Sequence, residues 1–288
     1  MVKVSGFTII KNAVRHDFPI EASIRSLLPV CDEVVVNVGP SDDGTLDLIQ
    51  SIKDPKIRII EGVWDVSRQN WMLSDETLRA MRACVHPWGI YIQGDEVLHE
   101  KGAQDLVAAI QEVDPDPVVE ALLVKYLHFY GDFDTIASNR RWYRREIRAL
   151  RLDPALDLRP YKGAQGFRVG PDNRKTRARL TSAVMFHYGW ARPAAALRAK
   201  IATNRTIYPW SAEREAKRPL LAWIPGLKPF AGAHPAVAQS YIAERATDPE
   251  RVVEPPHFEL EHLRFYASDI IERLTGARLF EYRNYRLV

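Results

Sequence analysis

The sequence contains little cysteine and no long apolar run, and these two shortages exclude several classes of protein. Cys31 and Cys84 are the two cysteines among 288 residues, and neither has a partner at metal-ligand or redox spacing. Both are therefore expected in the core. No apolar run is long enough to span a bilayer, and the opening MVKVSGFTII lacks the basic segment and cleavage site of a signal peptide. We therefore expect a cytoplasmic protein.

The sequence also lacks a strong excess of charge of either sign. The formal net charge is +3, which is too small for wholesale binding of nucleic acid, so nucleic acid is not expected as a partner. The basic residues nevertheless cluster in two stretches, RRWYRREIRALR at 140–151 and NRKTRAR at 173–179. These clusters need a local explanation.

The first third of the chain alternates short apolar runs with amphipathic stretches, which is typical of βα units around a parallel sheet. Four strands are predicted in this part: 7–10, 33–38, 56–60 and 88–93. Helices are predicted after the first three of them: one beginning at Pro19, one at Thr45 and one over 67–84. Asp17 is expected to cap the first helix, and the third is expected to break near Ser74.

The alternation weakens after Ala103. One more helix is expected to Glu112, followed by a strand over 121–130 and by an Arg-rich stretch that fits either a strand or a helix. From Arg192 onward the pattern is mainly helical and is broken by proline-rich segments. We therefore predict a Rossmann-like α/β domain over residues 1–191, with a mostly parallel sheet flanked by helices, and a mainly helical C-terminal extension over 192–288.

Polar residues follow three of the predicted strands at the points where the strands end. Lys11 and Asn12 follow the first strand, the segment 37–43 follows the second, and the segment 93–96 follows the fourth. Ligands of open α/β sheets bind beyond the carboxyl ends of the strands, where loops converge and helix amino termini favour anions. A binding site is therefore predicted at this edge of the sheet.

The segment YIQGDEVLHE at 91–100 runs from an apolar strand directly into two carboxylates. Carboxylate oxygens suit Mg²⁺ or Mn²⁺, which also bind diphosphates, and Asp95 is the predicted ligand. Successive side chains at a strand end point in opposite directions, so Glu96 is expected to face a backbone amide or a basic side chain. A helix cap or a turn is the alternative interpretation of the acidic pair.

Several segments resemble the family 2 glycosyltransferases over roughly the first two thirds of the chain. They are TIIKN at 8–12, SDDGT at 41–45, QGDE at 93–96 and FHYGWAR at 186–192. The resemblance implies a GT-A fold, a nucleotide-sugar donor, Mn²⁺ or Mg²⁺, and sugar transfer with inversion. It also implies that residues 1–191 are the catalytic domain and that His187 is a further metal ligand. A core histidine is the alternative interpretation of His187.

The resemblance and the strand ends together give a predicted set of nucleotide-sugar contacts: Ile10, Lys11, Asn12, Asn37, Asp43, Ser67, Arg68, Asn70, Gln93 and Gly94. The sequence departs from the family pattern at three of its positions. Ala13 replaces a glutamate, Asn37 takes the place of an acid that binds the base, and Gln93 replaces the first metal-motif aspartate. For the segment 67–70, a plain helix start with Ser67 as its cap is the alternative.

Inversion needs a carboxylate that takes the acceptor's proton. Asp132 and Asp134 are the candidates, because they lie in a loop after a strand, whereas Glu146 is expected to pair with neighbouring arginines. The basic stretches are expected to border an anionic acceptor, such as a phosphate-bearing glycan or a lipid-linked carrier. The residues concerned are Arg140, Arg141, Arg144, Arg145, Lys175 and Arg177.

The segment after Arg192 is expected to cover the acceptor site or to rest on the inner face of a membrane, through aromatics such as Trp210, Trp223 and Phe230. Two other functions share part of this pattern. A nicotinamide dehydrogenase has the same α/β alternation but is disfavoured, because IIKNAVRHD, after the first strand, contains no glycine. A non-enzymatic RNA- or phosphate-binding α/β module stays open, and it predicts binding that does not depend on a metal.

Overall fold

The computed structural model describes residues 1–207 and 219–288. Its strands are β1 (Val4–Ile10), β2 (Glu33–Val38), β3 (Ile57–Glu61), β4 (Trp88–Tyr91), β5 (Glu96–Leu98), β6 (Ala121–Tyr130), β7 (Thr135–Ala137), β8 (Arg145–Arg151), β9 (Leu158–Tyr161), β10 (Gly166–Val169), β11 (Arg174–Trp190), β12 (Leu227–Pro229) and β13 (Tyr285–Leu287). Its α-helices are α1 (Ile20–Leu27), α2 (Thr45–Gln50), α3 (Met72–Ala83), α4 (Glu100–Val113), α5 (Ala194–Ile207), α6 (Gln239–Arg245) and α7 (Leu263–Thr275). Short 3₁₀ helices cover Val66–Trp71, Pro154–Leu156, Ala236–Ala238 and Leu260–His262.

The strands form one sheet in the order β3-β2-β1-β4-β8-β6-β11-β10-β9. The first four strands of this order are parallel to one another. Phe7 on β1 lies opposite both Val35 on β2 and Tyr91 on β4, so these strands end at the same edge of the sheet. Beyond β4 the sheet is mixed, because β8 runs antiparallel to β4 and β6, whereas β11 runs parallel to β6. The predicted α/β fold with flanking helices is confirmed.

The parallel strands are buried on both faces, which explains their nearly continuous apolar sequence. On one face, Ile20, Ile24 and Leu27 of α1 pack against the sheet together with residues of α4. On the other face, Phe7 and Tyr91 belong to a cluster with Ala80 and Met81 of α3. A fully buried side chain such as Leu27 stabilises the fold enough that its replacement by alanine costs about 2–5 kcal/mol.

Two predictions about helix boundaries were wrong. Asp17 does not cap α1, because its carboxylate instead accepts hydrogen bonds from Arg245 Nε at 2.9 and 2.7 Å, which ties α6 to the start of α1. The helix predicted over 67–84 is interrupted at Gln69 (φ 49°, ψ −125°), not near Ser74, and it splits into a 3₁₀ helix and α3. Asp65, not Ser67, caps the 3₁₀ helix.

The Arg-rich stretch forms a strand, β8, at the centre of the mixed part of the sheet. Among its described residues, the segment after Arg192 holds three α-helices and also adds strands to the sheet, because β12 pairs with β7 and β13 pairs with β11. The division at residue 191 stays a prediction. Trp210 lies outside the described residues. Within the described ranges, every helix is too short or too polar to cross a membrane.

Candidate active site

A cavity of about 590 Å³ opens at the carboxyl ends of β1 and β4. The turn after β1 lines it with Lys11 and Asn12, and the turn after β4 lines it with the segment 93–95. Helix α5 closes another side with Lys200, Thr203, Asn204, Thr206 and Ile207. One face of α5 is directed at the strand ends, because four of these residues recur at helical spacing: Lys200, Thr203, Asn204 and Ile207. The predicted position of the binding site therefore coincides with this cavity.

Asp95 presents its carboxylate to this cavity although the residue is buried. Its Oδ2 accepts hydrogen bonds from Arg192 Nη2 at 2.5 Å and from Lys200 Nζ at 3.2 Å, and His187 Nε2 lies 3.7 Å away. Burial by itself would raise the pKa of Asp95, but the charges of Lys200 and Arg192, with the hydrogen bond from Lys200, outweigh burial and hold that pKa well below its usual value. Asp95 is therefore a permanent anion.

A hydrogen bond joins His128 and His187, and this pair, the histidine relay, determines which nitrogen of His187 carries a proton. His128 Nε2 lies 2.8 Å from the carbonyl oxygen of Tyr143, which can only accept, so this nitrogen carries a proton. Burial lowers the pKa of His128 to about 4, so the ring is neutral and its Nδ1 is an acceptor. His187 Nδ1, at 3.0 Å from His128 Nδ1, must therefore be the donor.

The consequence of this relay is a bare lone pair on His187 Nε2. Burial also lowers the pKa of His187 well below its usual value, so the ring holds one proton, and that proton is on Nδ1. The lone pair of Nε2 and the anionic Oδ2 of Asp95 are thus 3.7 Å apart with no proton to share. Two acceptors in this relation repel each other, whereas a cation that both could coordinate would relieve the repulsion.

Two glycines allow this close packing. An added Cβ at Gly189 would lie 2.5 Å from His187 Cε1 and 3.0 Å from Asp95 Oδ2, so a larger residue would push the two groups apart. An added Cβ at Gly94 would lie 2.7 Å from Ile10 Cδ1. Ile10 and Gly94 both line the cavity, and they act through shape and not through hydrogen bonds of their side chains.

Glu96 is turned away from Asp95, which confirms the expectation that it would meet a backbone amide or a basic side chain. Arg148 donates to both carboxylate oxygens, at 2.9 and 2.7 Å, and Tyr126 Oη donates at 2.7 Å. The backbone nitrogen of Gln93 donates to the same carboxylate at 3.0 Å. This buried pair fixes the turn that follows β4 and thereby directs Asp95 into the cavity.

The turn after β1 and the segment 41–45 are held together by hydrogen bonds. Asn12 N donates to Ser41 Oγ at 3.0 Å, and Ala13 N donates to Thr45 Oγ1 at 2.7 Å. Asp43 accepts from Arg15 N at 2.7 Å and from Thr45, so its carboxylate builds the turn. Within the described residues, Asn12 Oδ1 is buried without a hydrogen-bond partner. Asn12, at φ 52°, therefore brings an unsatisfied acceptor to the cavity wall.

A second unsatisfied pair lies beside the ends of β2 and β3. Asn37 Nδ2 donates to the backbone oxygen and the carboxylate of Glu76, but Asn37 Oδ1 and Trp64 Nε1 are buried without partners among the described residues. An added Cβ at Gly62 would lie 2.6 Å from each of these two atoms, so the free acceptor and the free donor are neighbours. Trp64 lines the cavity, whereas Asn37 lies behind it.

The predicted contacts divide into two groups. Those that the structure brings to the cavity are Ile10, Lys11, Asn12, Gln93, Gly94, Asp95 and His187. Those that lie outside its lining are Asn37, Asp43, Ser67, Arg68, Asn70, Asp132 and Asp134. Arg68 pairs with Asp75, and Ser67 donates to Asp65. The roles of this second group stay predictions, although most of these side chains have internal partners that already explain them.

The candidate bases lie in the turn between β6 and β7. Asp132 Oδ1 accepts from Asp134 N at 2.9 Å, which is the bond of a tight turn, and Asp134 is exposed. Glu146 is buried and accepts from Asn284 Nδ2 at 3.2 Å. The expectation that Glu146 pairs with neighbouring arginines was wrong, because among the described residues its hydrogen bonds come from Asn284 and not from an arginine side chain.

The basic stretches have acidic partners from distant parts of the sequence. Arg144 donates to Glu272 at 2.9 Å and to Glu281 at 2.8 Å. Arg177 binds Glu120, which is buried. These two arginines therefore have acidic partners within the chain, and the expectation that they border an anionic acceptor stays a prediction. Arg141 does line the cavity.

Sequence reasoning missed the partners that determine the chemistry of Asp95. Arg192 is fully buried, donates to His16 O at 2.9 Å and stacks on the ring of Phe18. Burial and the charge of Arg192 lower the pKa of Lys200 to about 8. The helical spacing of polar residues on α5 was visible in the sequence, but nothing local indicated that this face meets the strand ends. His128 gave no signal beyond an apolar strand.

The sequence matches no protein-family model and no curated protein. Similar solved structures include a structure of S. aureus TarS 1-349, with 13% identity and a TM-score of 0.43 over 69% of this chain and 64% of that chain. A further TarS structure gives 12% and 0.45 over 75% of this chain and 44% of that chain. Glucosyl-3-phosphoglycerate synthase from Mycobacterium tuberculosis, in complex with Mn²⁺, UDP and glucosyl-3-phosphoglycerate, gives 18% and 0.31 over 45% of each chain. At these TM-scores the likeness supports no statement about function.

Proposed function

We propose that this chain is a glycosyltransferase that transfers a sugar from a nucleotide-diphosphate sugar to an acceptor, with a divalent metal ion bound at Asp95 and His187. The observation that carries the proposal is the pair of facing acceptors at the strand ends, the lone pair of His187 Nε2 and the anionic Oδ2 of Asp95, 3.7 Å apart. Asp95 Oδ2 has donors in Arg192 and Lys200, whereas among the described residues His187 Nε2 has none, and this free ring nitrogen beside an anionic oxygen supports a cation at this point.

The donor set fits Mn²⁺ or Mg²⁺ in its chemistry, since it offers one carboxylate and one neutral imidazole beside a cavity open to ligand oxygens. Asp95 and His187 would hold the ion, and the bound ion would neutralise charge on a diphosphate. Outside this centre, Arg192 holds the Asp95 carboxylate in place from a buried position. Lys200 is different, because it lines the cavity and is free to turn from Asp95 to a phosphate oxygen.

The cavity wall also supplies groups for the nucleotide. Asn12 Oδ1 offers an acceptor and Trp64 Nε1 offers a donor, and this combination suits the edge of a base. Lys11 Nζ lies 6.0 Å from the centre of the Trp64 ring, where it adds positive charge. Along α5, Thr203 and Asn204 offer hydrogen-bonding side chains beside Lys200. This set of groups supports a nucleotide diphosphate as the ligand class.

The acceptor belongs to the open side of the cavity, near Arg141, Trp142 and Tyr143. Transfer with inversion needs a carboxylate at the acceptor hydroxyl, and Asp132 and Asp134 remain the proposed bases, with a movement of their turn toward the cavity. A glycan or a lipid-linked acceptor fits this opening. A peripheral membrane contact on the inner face is supported by exposed apolar residues on one side of α7 and just before it: Phe258, Leu260, Leu263, Tyr266, Ile270 and Leu274.

The test of the proposed function is a screen of nucleoside diphosphates and their sugars, each with Mn²⁺, Mg²⁺ or a chelator. We expect one nucleotide to raise the melting temperature of the protein only when a divalent ion is present, and its sugar conjugate to release the nucleoside diphosphate on incubation. A screen in which no nucleotide stabilises the protein under any condition would overturn the proposal.

A second candidate function is a non-enzymatic module that binds phosphate groups or RNA without a metal. The observation that favours it is that Arg192 and Lys200 already neutralise Asp95, so the centre carries positive groups of its own. This function predicts stabilisation by nucleotides or RNA that is equal in chelator and in Mn²⁺ and that weakens steeply as salt is added.

A further inference from the structure

A second cavity, of about 270 Å³, lies on the other side of Trp142 and Tyr143, which line both cavities. His128 also lines it, and the bond from His128 to His187 connects the two cavities through one pair of rings. The lining of this second cavity includes four basic side chains: Lys125, Arg144, Arg145 and Arg278. None of the residues proposed to hold the nucleotide or the metal contributes to it.

Two of these basic residues face each other across neighbouring strands. Lys125 on β6 is the register partner of Arg145 on β8 in an antiparallel pair. Side chains in this relation lie on the same face of the sheet, about 5 Å apart at Cβ, and like charges placed there destabilise the pairing. Among the described residues, neither side chain forms a hydrogen bond or an ion pair with a carboxylate, although most other arginines of the basic stretches do.

The local charges do not balance. Arg144 shares Glu272 with Arg278 and also binds Glu281. Arg278 further donates to the backbone oxygens of Trp142 and Ser138. Glu281 also binds Arg283, so these two carboxylates serve three arginines, and the charges of Lys125 and Arg145 are left over as an excess of at least two positive charges at this cavity wall. Lys125 is exposed and Arg145 is half-buried, and two adjacent positive charges without acidic partners favour a bound anion of matching charge.

We propose that the second cavity binds a phosphate group between Lys125 and Arg145. A phosphate carries close to two negative charges at neutral pH and accepts hydrogen bonds from both an ammonium and a guanidinium group, so it would cancel the excess charge and bridge the two strands. The ligand is inorganic phosphate or the phosphate of a phosphomonoester, since both present the same oxygens. The site is separate from the nucleotide site and does not rest on the proposed glycosyltransferase function.

The experiment measures phosphate binding to the full chain at constant ionic strength, with chloride as the reference salt. We expect inorganic phosphate to bind the wild type and to raise its melting temperature. Lys125→Gln with Arg145→Gln should weaken phosphate binding by at least about tenfold, because two charge-assisted hydrogen bonds are lost. Without phosphate, at low salt, the double variant should melt at the same temperature as the wild type or above it, since repulsion between the strands is removed.

The matched control is Lys3→Gln with Arg82→Gln, which removes two charges from exposed positions elsewhere. It should bind phosphate as the wild type does. Glycerol phosphate in place of inorganic phosphate distinguishes the two sources, because a phosphomonoester site should prefer it. Equal phosphate affinity in the wild type and the Lys125 and Arg145 double variant, or the absence of phosphate binding to the wild type, overturns the proposal. If the double variant does not fold, Lys125→Gln alone provides the test, since Lys125 is exposed.

Discussion

Asp95 and Glu96 are adjacent carboxylates, both buried, and the structure gives them opposite surroundings. Glu96 meets one arginine fork and one tyrosine hydroxyl and has no contact with the cavity. Asp95 lines the cavity and meets Arg192, Lys200 and the bare nitrogen of His187. The difference follows from the alternation of side chains at a strand end. It teaches that one acid of the pair holds the turn so that the other can be presented to a ligand.

The largest expected effect comes from removing Arg148, the buried partner of Glu96. Arg148→Met should lower the free energy of unfolding by about 3–5 kcal/mol, because it leaves the Glu96 carboxylate buried without its partner. Chemical denaturation measures the loss. The matched control is Arg68→Met, which removes an exposed arginine paired with Asp75 and should change the stability far less, because solvent screens an exposed pair. Equal losses in the two variants would mean that the Glu96 pair is not what fixes the turn.

Glu146 is a third buried carboxylate, and it lacks the hydrogen bonds from an arginine side chain that Glu96 has. Burial raises its pKa from 4.5 to about 7. The folded protein therefore holds this proton more tightly than the unfolded chain, so the stabilisation is complete below about pH 4.5 and is lost as the pH rises toward 7. This difference between the folded and unfolded pKa values corresponds to about 3 kcal/mol. As the pH rises, the free energy of unfolding of the wild type should therefore fall by up to about 3 kcal/mol more than that of Glu146→Gln.

The measurement is the free energy of unfolding at pH 5 and pH 8 for both proteins. Glu61→Gln, which neutralises an exposed carboxylate, is the control and should keep the wild-type pH dependence. If Glu146→Gln loses as much stability as the wild type between the two pH values, then Glu146 is ionised throughout and the contrast with Glu96 disappears.

The next prediction concerns the histidines beside Asp95 and their effect on metal binding. His187→Ala should remove most of the Mn²⁺ affinity, whereas His128→Leu should reduce it by about 10–100-fold, because His128 sets the tautomer and orientation of His187. Metal affinity and melting temperature are measured together for each variant. If His187 has only a core role, His187→Ala would instead lower the melting temperature and leave the metal affinity unchanged. That result would contradict the proposed role of His187 as a metal ligand.

The parts of the molecule that follow local patterns were predictable from sequence. The strands β2 and β6 have the predicted limits, because apolar and β-branched runs bounded by turn residues define them locally. The opposite directions of Asp95 and Glu96 followed from strand geometry. Asp95, Gln93 and Lys11 line one cavity, as expected, because the parallel strands that precede them end at the same edge of the sheet.

The parts that depend on distant partners were not predictable. Arg192 lies 97 residues from Asp95, and Arg148 lies 52 residues from Glu96, so no local spacing indicates these pairs. For the same reason, the sequence did not show the acidic partners of Arg144, Glu272 and Glu281, which come from the C-terminal segment. Asp43 was expected at the nucleotide because of the family resemblance, whereas its hydrogen bonds to the turn after β1 belong to the scaffold.

The most direct test of the account is the affinity of the nucleoside diphosphate identified by the screen, measured by calorimetry for the wild type and Asp95→Asn, each in Mn²⁺ and in chelator. The amide keeps the shape of the side chain but loses the charge that attracts a dication. We predict that Mn²⁺ strengthens nucleotide binding at least about tenfold in the wild type and has no effect in Asp95→Asn, which would match a lost metal ligand. Binding to the wild type that is equally strong in Mn²⁺ and in chelator would contradict the account.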